Sequence, residues 1–331
     1  MVDFLNAIVL LANYIIVPGL AYGSQLALGA LGVTMVYAVL RFSNFAHGEL
    51  MSFGAMCTIL CTWTLQAVGI KLTILPTALL AIPIAAVITV LYCISINYFV
   101  YEHYREKKID TNTYFIVSIG VLFFTAGFIR LIIGPKDQNF SDGARFILKA
   151  REFKTLTGLD EGLAIKTTQG MTIIVTLVLV TFVFWFLNKT RTGKSMRAYS
   201  DNEDLALLSG IDPKKVVMIT WIIAGFLATV GGVLYGLDKS YKPFVYFNNM
   251  LPIFAAAIVG GIGNPYGAFL GGYVIAFAEI LVTYAYKKFF IYLLPEFLEP
   301  DSLVQLLSTD YKFAVSFSIL VIVLLFRPSG I

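Results

Sequence analysis

The first residues that could do chemistry are 192–195 (Thr-Gly-Lys-Ser), which look like the end of a phosphate-binding loop. Such a loop needs a glycine five positions before Gly193, where this chain has Asn188, and it follows a strand rather than an apolar helix. Gly261 and Gly263 begin a dinucleotide-binding pattern, but Tyr266 occupies the place of its third glycine. Neither segment therefore predicts a nucleotide site.

The histidines and cysteines also lack the spacing that catalysis or metal binding requires. His47 and His103 have no H-E-x-x-H context, and no Ser-His-Asp set can be argued because its candidates lie in different apolar stretches. Cys57 and Cys61 are four residues apart, yet thiols without a nearby histidine or carboxylate cannot complete a tetrahedral zinc site. We therefore expect the cysteines to pack, and no enzyme, metal or cofactor is indicated.

The composition indicates the environment of the protein. The chain is 58% hydrophobic and 13% charged, with a mean hydropathy of +0.82. Soluble domains are about 45–50% apolar and about 25% charged. The 24 basic and 20 acidic residues give a net charge of +4 that is not concentrated in a patch. These values exclude disorder, a disulfide scaffold and a nucleic-acid-binding domain, and they indicate a membrane protein.

The hydropathy pattern predicts an all-α, polytopic integral membrane protein that forms a single transmembrane domain over residues 1–331. About 20 apolar residues make one spanning helix, so eight to ten transmembrane helices are expected. An apolar run over 4–17 is predicted to be a retained membrane helix that stops at Pro18, because it lacks a signal peptide's basic start and cleavage site. The other predicted spans are 20–40, 48–67, 74–100, 112–134, 168–188, 214–237, 250–286 and 311–327.

The last-but-one of these stretches, 250–286, is too long for a single crossing. Its glycines and Asn264-Pro265 release the backbone from a helix, which predicts a re-entrant or broken glycine-rich element. Glycines four apart, such as 19 with 23, 232 with 236, and the series 263, 267 and 271, predict close helix packing.

Alternation of the spans puts loops 101–111 and 189–213 at one end with the C-terminus, and the remaining loops at the other end. Eleven of the 24 basic residues then fall at the first end and thirteen at the second. The positive-inside rule consequently does not orient the chain.

The loop over residues 190–215 is the most informative polar segment. Ser200 and Glu203 have the spacing of a capping box, with acidic residues including Asp204 in the first turn of a helix over 201–209. Leu205 and Leu208 give that helix an apolar edge, and Gly210 follows its end. So short a helix needs a support. The support is either the ends of neighbouring helices in this chain or a groove on a separate soluble subunit.

Polar residues near membrane depth are further candidates. Asn44, His47 and Glu49 lie between two apolar spans, where they either serve function or cap and charge the start of the next helix. Glu279 is the only carboxylate well inside a long apolar run. It either faces a water-lined path or pairs internally.

Five motifs together resemble the permease subunits of branched-chain amino acid (Liv-type) ABC importers, nearly over the whole chain and in order. They are residues 34–37 (Thr-Met-Val-Tyr), 44–49 (Asn-Phe-Ala-His-Gly-Glu), 192–198 (Thr-Gly-Lys-Ser-Met-Arg-Ala) running into 210–212, 259–268 around the glycine-rich turn, and 327–330 (Arg-Pro-Ser-Gly).

This resemblance implies a multi-pass permease of the bacterial inner membrane that has no cofactor and does not itself hydrolyse ATP. It implies a second permease subunit, two cytoplasmic ATP-binding subunits, a periplasmic substrate-binding protein and surrounding lipid as partners, and no nucleic acid. The loop 190–215 becomes a cytoplasmic coupling element. The residues that the resemblance and the loop pattern assign to coupling are Arg197, Ser200, Glu203, Asp204, Leu205, Leu208, Gly210 and Ile211. Those assigned to the translocation path are Asn44, His47, Glu49, Gly261, Gly263 and Glu279.

Two alternatives stay open on the sequence. Similar permeases carry urea, short amides or other amino acids, so the substrate can differ. A self-contained channel or secondary carrier would instead use Glu49 or Glu279 to relay ions.

Overall fold

The computed structural model describes residues 2–107, 109–295, 298, 300, 302–327 and 330. Helices dominate these ranges, as the apolar composition predicts. The helices are α1 (Val2–Leu40), α2 (His47–Ala67), α3 (Ala78–Glu106), α4 (Thr111–Ile133), α5 (Ala150–Thr157), α6 (Thr167–Lys189), α7 (Arg191–Asp201), α8 (Glu203–Leu208), α9 (Pro213–Lys239), α10 (Val245–Asn248), α11 (Met250–Val259), α12 (Pro265–Thr283), α13 (Lys287–Leu293) and α14 (Lys312–Phe326). Two short strands, β1 (Phe146–Leu148) and β2 (Ile165–Lys166), pair antiparallel in one long loop.

Eight helices in the described ranges are long and apolar enough to cross a membrane, which confirms the predicted all-α, multi-pass class. They are α1, α2, α3, α4, α6, α9, α12 and α14 with the turn before it. Their bounds agree closely with the predicted spans. In lipid, the backbone amides of a run of about 20 apolar residues can bond only carbonyls of the same run, so each run forms a helix.

The N-terminal prediction is wrong at Pro18. Helix α1 continues through this residue, whereas the sequence predicted that a first helix would stop there. A π-helical turn over Ala12–Ile16 directly precedes the proline. Such a wider turn changes the local hydrogen bonding, so a proline without an amide hydrogen is tolerated in the continuing helix.

The predicted break after residue 250 is confirmed. Helix α11 spans only ten residues and ends at Val259, and α12 begins at Pro265. Between them Gly261 and Gly263 have positive φ values of 94° and 88°, which glycine adopts without strain. The side chain of Asn264 accepts a hydrogen bond from the Tyr266 amide at 3.1 Å and so starts α12. The result is a half-length helix followed by a full span.

Helix α1 lies at the centre of the bundle, since nearly all its residues from 19 to 39 are buried. It packs chiefly against α12 and α9. A side chain at Gly23 would collide with the ring of Tyr273, and one at Gly272 with the backbone of Ala27. Small residues therefore set the distance between these helices, as predicted. In lipid the hydrophobic effect does not drive helices together, so they associate through close packing of their backbones. Gly263 is the exception, because a methyl group added there would meet no atom of the described residues within 4 Å.

The loops divide between the two ends of the bundle as alternation predicts. At one end, here called the α7–α8 end, the Arg41 guanidinium donates to the Ser200 carbonyl, and Gly330 contacts Gly261. At the opposite end, Gln138 and Tyr241 form a β-bridge, and Tyr292 donates to Glu161 at 3.0 Å.

Candidate coupling site

Two consecutive helices form the surface of the α7–α8 end. The Thr190 hydroxyl accepts from the Gly193 amide at 3.0 Å and caps α7, which runs over eleven residues. The sequence analysis missed this helix. Asn202 then breaks the chain with extended backbone angles, and its side chain accepts from the Leu205 amide at 2.9 Å to cap α8.

The predicted capping box is therefore wrong. Ser200 lies inside α7 rather than before a helix, and α8 covers Glu203–Leu208 instead of 201–209. Asn202 caps α8 because the oxygen of its short side chain reaches the backbone amide three residues later. The prediction had given this capping role to Ser200, two positions earlier. Glu203 does not reach back to the Ser200 amide and instead accepts from the Tyr199 hydroxyl at 2.6 Å.

Helix α8 ends before Gly210, as the sequence predicts. Gly210 has φ +79°, and the Ile211 amide donates back to the Ala206 carbonyl at 3.1 Å. This is the Schellman arrangement, in which a left-handed glycine allows the last carbonyls to be satisfied. Both ends of a helix of less than two turns are thus held by local hydrogen bonds.

One face of α8 packs on the protein and the other is open. Ala206 is buried, whereas 62% of Leu205 and 86% of Leu208 are exposed. Asp204 also lies at the surface. Of the two supports that the sequence left open, the chain's own helices hold only the small Ala206 side. The leucine edge remains free for another surface.

Tyr199 and Arg41 fasten the two helices to the membrane part. Tyr199 is buried at the end of α7 and holds Glu203 across the break. Burial, together with the hydrogen bond to Glu203, raises the pKa of Tyr199, so its hydroxyl stays protonated as the donor. Arg41, at the end of α1, donates to the Ser200 carbonyl.

A second connection leads from α7 to the glycine-rich turn. Arg197 donates to the Asn188 side chain at 3.0 Å, and the Asn188 amide nitrogen donates to the Tyr266 hydroxyl. Asn188 lies in the last turn of α6, and Tyr266 in the first turn of α12. A cavity of about 570 Å³ lies between α7, the end of α1 and Gly263. Two predicted sets of residues, those of the coupling loop and those of the glycine-rich turn, are thereby brought together.

Gly261, the other glycine of the turn, lies against the C-terminus. A side chain at Gly330 would collide with its backbone. Pro328 and Ser329 of the predicted C-terminal motif lie outside the described residues.

The remaining candidates for the path are buried at or just before the start of α2 and inside α12. The Asn44 oxygen accepts from the Ala46 amide at 3.1 Å and from the Tyr101 hydroxyl at 3.2 Å, so this residue shapes the turn before α2. His47 lies against Gly32. Within the described ranges, both its ring nitrogens lack a hydrogen-bond partner, as does one oxygen of Glu49. Glu49 is in the first turn of α2, where a carboxylate is favourable.

Glu279 has a partner inside the protein. One of its oxygens accepts from the Ser316 hydroxyl of α14, while the other has no hydrogen-bond partner among the described residues. Glu279 thus joins α12 to α14. Of the two alternatives from the sequence, the contact with Ser316 corresponds to internal pairing.

The sequence analysis missed Arg41, Asn188, Tyr199, Asn202 and Tyr266, which link the candidate residues. Arg41, Asn188 and Tyr266 stand next to a boundary between an apolar run and a polar segment, and this position was their only signal. Tyr199 and Asn202 instead lie inside the polar loop 190–215. In the described ranges, no group of three His, Cys, Asp or Glu side chains could hold a metal ion.

Comparison with known proteins agrees with this architecture. The family described as "Branched-chain amino acid transport system / permease component" matches residues 15–324. The high-affinity branched-chain amino acid transport system permease protein LivH is 31% identical over 317 residues in both Salmonella typhimurium and Escherichia coli K12, covering 95% of this chain and 92% of LivH. BraD of Pseudomonas aeruginosa, which carries the same description, is 29% identical over 96% of this chain and 94% of its own length.

No solved structure matches the chain. The family match and the near full-length relatives span both the central bundle and the α7–α8 end. Together with the eight spanning helices, they lead to one conclusion: the chain is a multi-pass membrane protein that belongs to the family of permease components of branched-chain amino acid transport systems.

Proposed function

We propose that this chain is a permease subunit of an ATP-driven importer that carries branched-chain amino acids across the bacterial inner membrane. Its partners would be a second permease subunit, two cytoplasmic ATP-binding subunits and a periplasmic substrate-binding protein. The names of the LivH and BraD relatives support the substrate class. The α7–α8 end would lie in the cytoplasm, where ATP is available.

The observation that carries the proposal is the exposed leucine edge of α8. Leu205 and Leu208 stand on a helix whose two ends are capped within the chain, so it keeps its shape when pushed. A rigid amphipathic helix that offers leucines one turn apart suits a groove on a soluble partner. Ile211 and Gly210 complete the end of that helix, and Asp204 lies in its first turn.

The contacts around α7 suggest how movement of that helix would reach the membrane spans. Tyr199 and Glu203 join α7 to α8, so the two helices would move together. Arg41 would transmit their displacement to the central α1, because it bonds the Ser200 carbonyl.

Arg197 offers a second route, through Asn188 to Tyr266 at the start of α12. Rings of α12 pack directly on Gly19 and Gly23 of α1, and Gly272 of α12 lies against the Ala27 backbone. With such close contacts, α1 and α12 would rock as a unit. Closure of ATP-binding subunits on α8 would thus open the path alternately to the two sides.

Uptake into proteoliposomes tests this function. The chain is purified with the proteins encoded beside it, reconstituted, and supplied with labelled L-leucine and the binding protein, with or without ATP inside. We expect uptake only with ATP and all partners. Leucine uptake by the isolated chain without ATP would contradict the proposal and favour a channel or secondary carrier.

The same vesicles distinguish substrates. Excess unlabelled isoleucine and valine should suppress leucine uptake, whereas urea and acetamide should not. ATP-dependent uptake of urea in place of leucine would keep the importer and replace its substrate.

A further inference from the structure

A second cavity at the α7–α8 end has a wall of mixed charge. Its volume is about 440 Å³, and it lies between α7, α8 and the adjoining ends of α1, α3 and α4. Its lining differs from that of the cavity at the glycine-rich turn, and the two cavities share Val39 as a wall residue. Its polar lining includes Arg41, Arg105, Tyr114, Tyr199, Glu203 and Asp204.

Arg105, near the end of α3, is the unusual group in this wall. Its Nη1 atom is shielded from solvent and has no hydrogen-bond partner among the residues that the structure describes. Arg105 lines the cavity together with Tyr114 of α4 and Tyr199 of α7. A shielded charged donor without an acceptor is costly. An acceptor that enters the cavity would therefore be stabilised there.

The opposite wall offers a free carboxylate. Glu203 is engaged by Tyr199, and Arg41 by the Ser200 carbonyl. Asp204 forms no ion pair within 4 Å with any residue in the described ranges. The cavity thus has one unengaged cation on α3 and one unengaged anion on α8.

The charges of the lining also select the class of ligand. Two arginines and two carboxylates cancel, so a simple anion would meet Asp204 and a simple cation would meet Arg105. A zwitterion satisfies both groups. Leu40 and Ile109 add apolar surface to the same wall.

We propose that this cavity binds a small zwitterion with an apolar side chain, that is, an aliphatic amino acid. Its carboxylate bonds Arg105, its ammonium group bonds Asp204, and its side chain lies against Leu40 and Ile109. Guanidinium and carboxylate groups form paired hydrogen bonds, which gives this arrangement its orientation.

A bound amino acid would join α3 to α8 and restrain the helix that carries the leucine edge. Occupancy should consequently slow ATP hydrolysis by the assembled complex. Only this second effect rests on the proposed function, because the binding itself needs no partner to turn over.

Binding of labelled L-leucine to the purified complex in nanodiscs, without binding protein, tests the site. The variants are Arg105→Gln and Asp204→Asn, with Lys107→Gln as the control, since Lys107 is an exposed cation two residues on that does not line the cavity. We expect both cavity variants to weaken binding roughly 10- to 100-fold, the loss expected for one charge-assisted interaction, and the control to bind like the wild type.

Two analogues test the need for both charges. Unlabelled 4-methylpentanoate lacks the ammonium group and 3-methylbutylamine lacks the carboxylate, so neither should displace leucine at concentrations where isoleucine does. Displacement by either analogue alone, or equal binding by the Arg105→Gln variant and the wild type, would overturn the proposal, as would the absence of leucine binding to the wild type.

Arg105→Lys guards against misfolding. It keeps the charge without the paired hydrogen bonds, and we expect binding between those of the wild type and Arg105→Gln. If Arg105→Lys binds no better than Arg105→Gln while both melt like the wild type, the charge on Arg105 has no part in binding and the proposal fails.

Uptake separates this proposal from the function. Arg105→Gln vesicles with ATP and binding protein should import leucine from outside at the wild-type initial rate, and internal leucine should no longer slow their ATP hydrolysis. Normal uptake with unchanged leucine binding rejects the site alone, whereas loss of ATP-dependent uptake in the wild type rejects the function alone.

Discussion

Two short helices of this protein, α8 and α11, are stabilised in opposite ways. Helix α8 has six residues and α11 has ten, and neither would be stable alone in water. The ends of α8 are closed by Asn202 and Gly210, while its leucines face outwards. Helix α11 has no side-chain cap, yet most of its residues are buried.

The difference shows where each helix obtains its stability. The α11 backbone at Ala256 lies against Gly271 of α12, and Gly260, which follows α11, lies against Gly267. The position of α11 is therefore set by its neighbour. The backbone of α8 is satisfied within residues 202–211, so this helix can shift against the bundle without losing its own hydrogen bonds. A helix that transmits force needs hydrogen bonds that are satisfied within its own segment, as in α8. A helix that shapes the membrane interior needs a position fixed by its neighbours, as in α11.

The largest expected effect is on α11, through Gly271→Ala. The new methyl group would collide with the Ala256 carbonyl, and backbone on both sides leaves little room to shift. We expect the free energy of unfolding to fall by about 3 kcal/mol or more. Thermal denaturation of the detergent-purified protein, followed by size-exclusion chromatography, measures it.

Gly127→Ala is the matched control for that substitution. Gly127 also lies inside a spanning helix, but outside that helix's own neighbouring backbone no atom of the described residues stands within 4 Å of an added methyl group. It should leave the melting temperature unchanged or raise it, because alanine favours a helix by about 1 kcal/mol. Equal losses in both variants would mean that the contact between α11 and α12 is not what holds α11.

The next effect concerns the open face of α8, in the double variant Leu205→Asp with Leu208→Asp. Each leucine buried by a partner contributes about 1.5–3 kcal/mol, so binding of the ATP-binding subunits and substrate-stimulated ATPase activity should both be lost. The melting temperature of the permease itself should not change, since the two leucines are exposed.

Leu156→Asp provides the control at the opposite end, where 80% of that leucine is exposed on α5. It should affect neither subunit association nor ATPase activity. Unimpaired association in the α8 variant would remove α8 as the docking helix.

A smaller effect follows from Asn202→Ala, which deletes the cap of α8. The helix should lose about 1 kcal/mol, and the Leu205 amide should exchange its hydrogen severalfold faster. Asn202→Asp keeps an acceptor and should exchange like the wild type. If alanine and aspartate behave alike in hydrogen-exchange mass spectrometry, the side-chain cap does not stabilise α8.

The smallest effect is expected from Glu203→Gln. Glutamine still accepts from the Tyr199 hydroxyl, and only the attraction between a negative charge and the start of the helix is lost, about 0.3–1 kcal/mol. Stimulated ATPase activity should stay within about twofold of wild type, and Tyr199→Phe, which loses the hydrogen bond, should reduce it further. The reverse order would show that the charge of Glu203 matters more than its contact with Tyr199.

The same contrast separates the features that could be predicted from the sequence from those that could not. The break before α12 was predictable, because Gly261, Gly263 and Pro265 act on their own backbone. The end of α8 at Gly210 was predictable for the same reason. The start of α8 was not, because Ser200, Asn202 and Glu203 can all cap or charge a helix, and the choice depended on where α7 ended.

The partners of polar side chains were beyond sequence analysis. Glu279 was singled out as the carboxylate inside a long apolar run, but its partner Ser316 is 37 residues later in the sequence. Their contact depends on how α14 packs. Arg41 and Tyr266 were not singled out, although they connect the α7–α8 end to α1 and α12.

The sequence alone determined which segments cross the membrane, where the long apolar stretch breaks, and which loop bears an amphipathic helix. Those properties follow from local hydrogen bonding and hydrophobicity, which each segment satisfies within itself. Only the tertiary structure decided which polar groups meet, which leucines stay exposed, and that α7 is linked to both α1 and α12. These contacts depend on the distances and angles between helices, and many different packings would bury the same apolar residues.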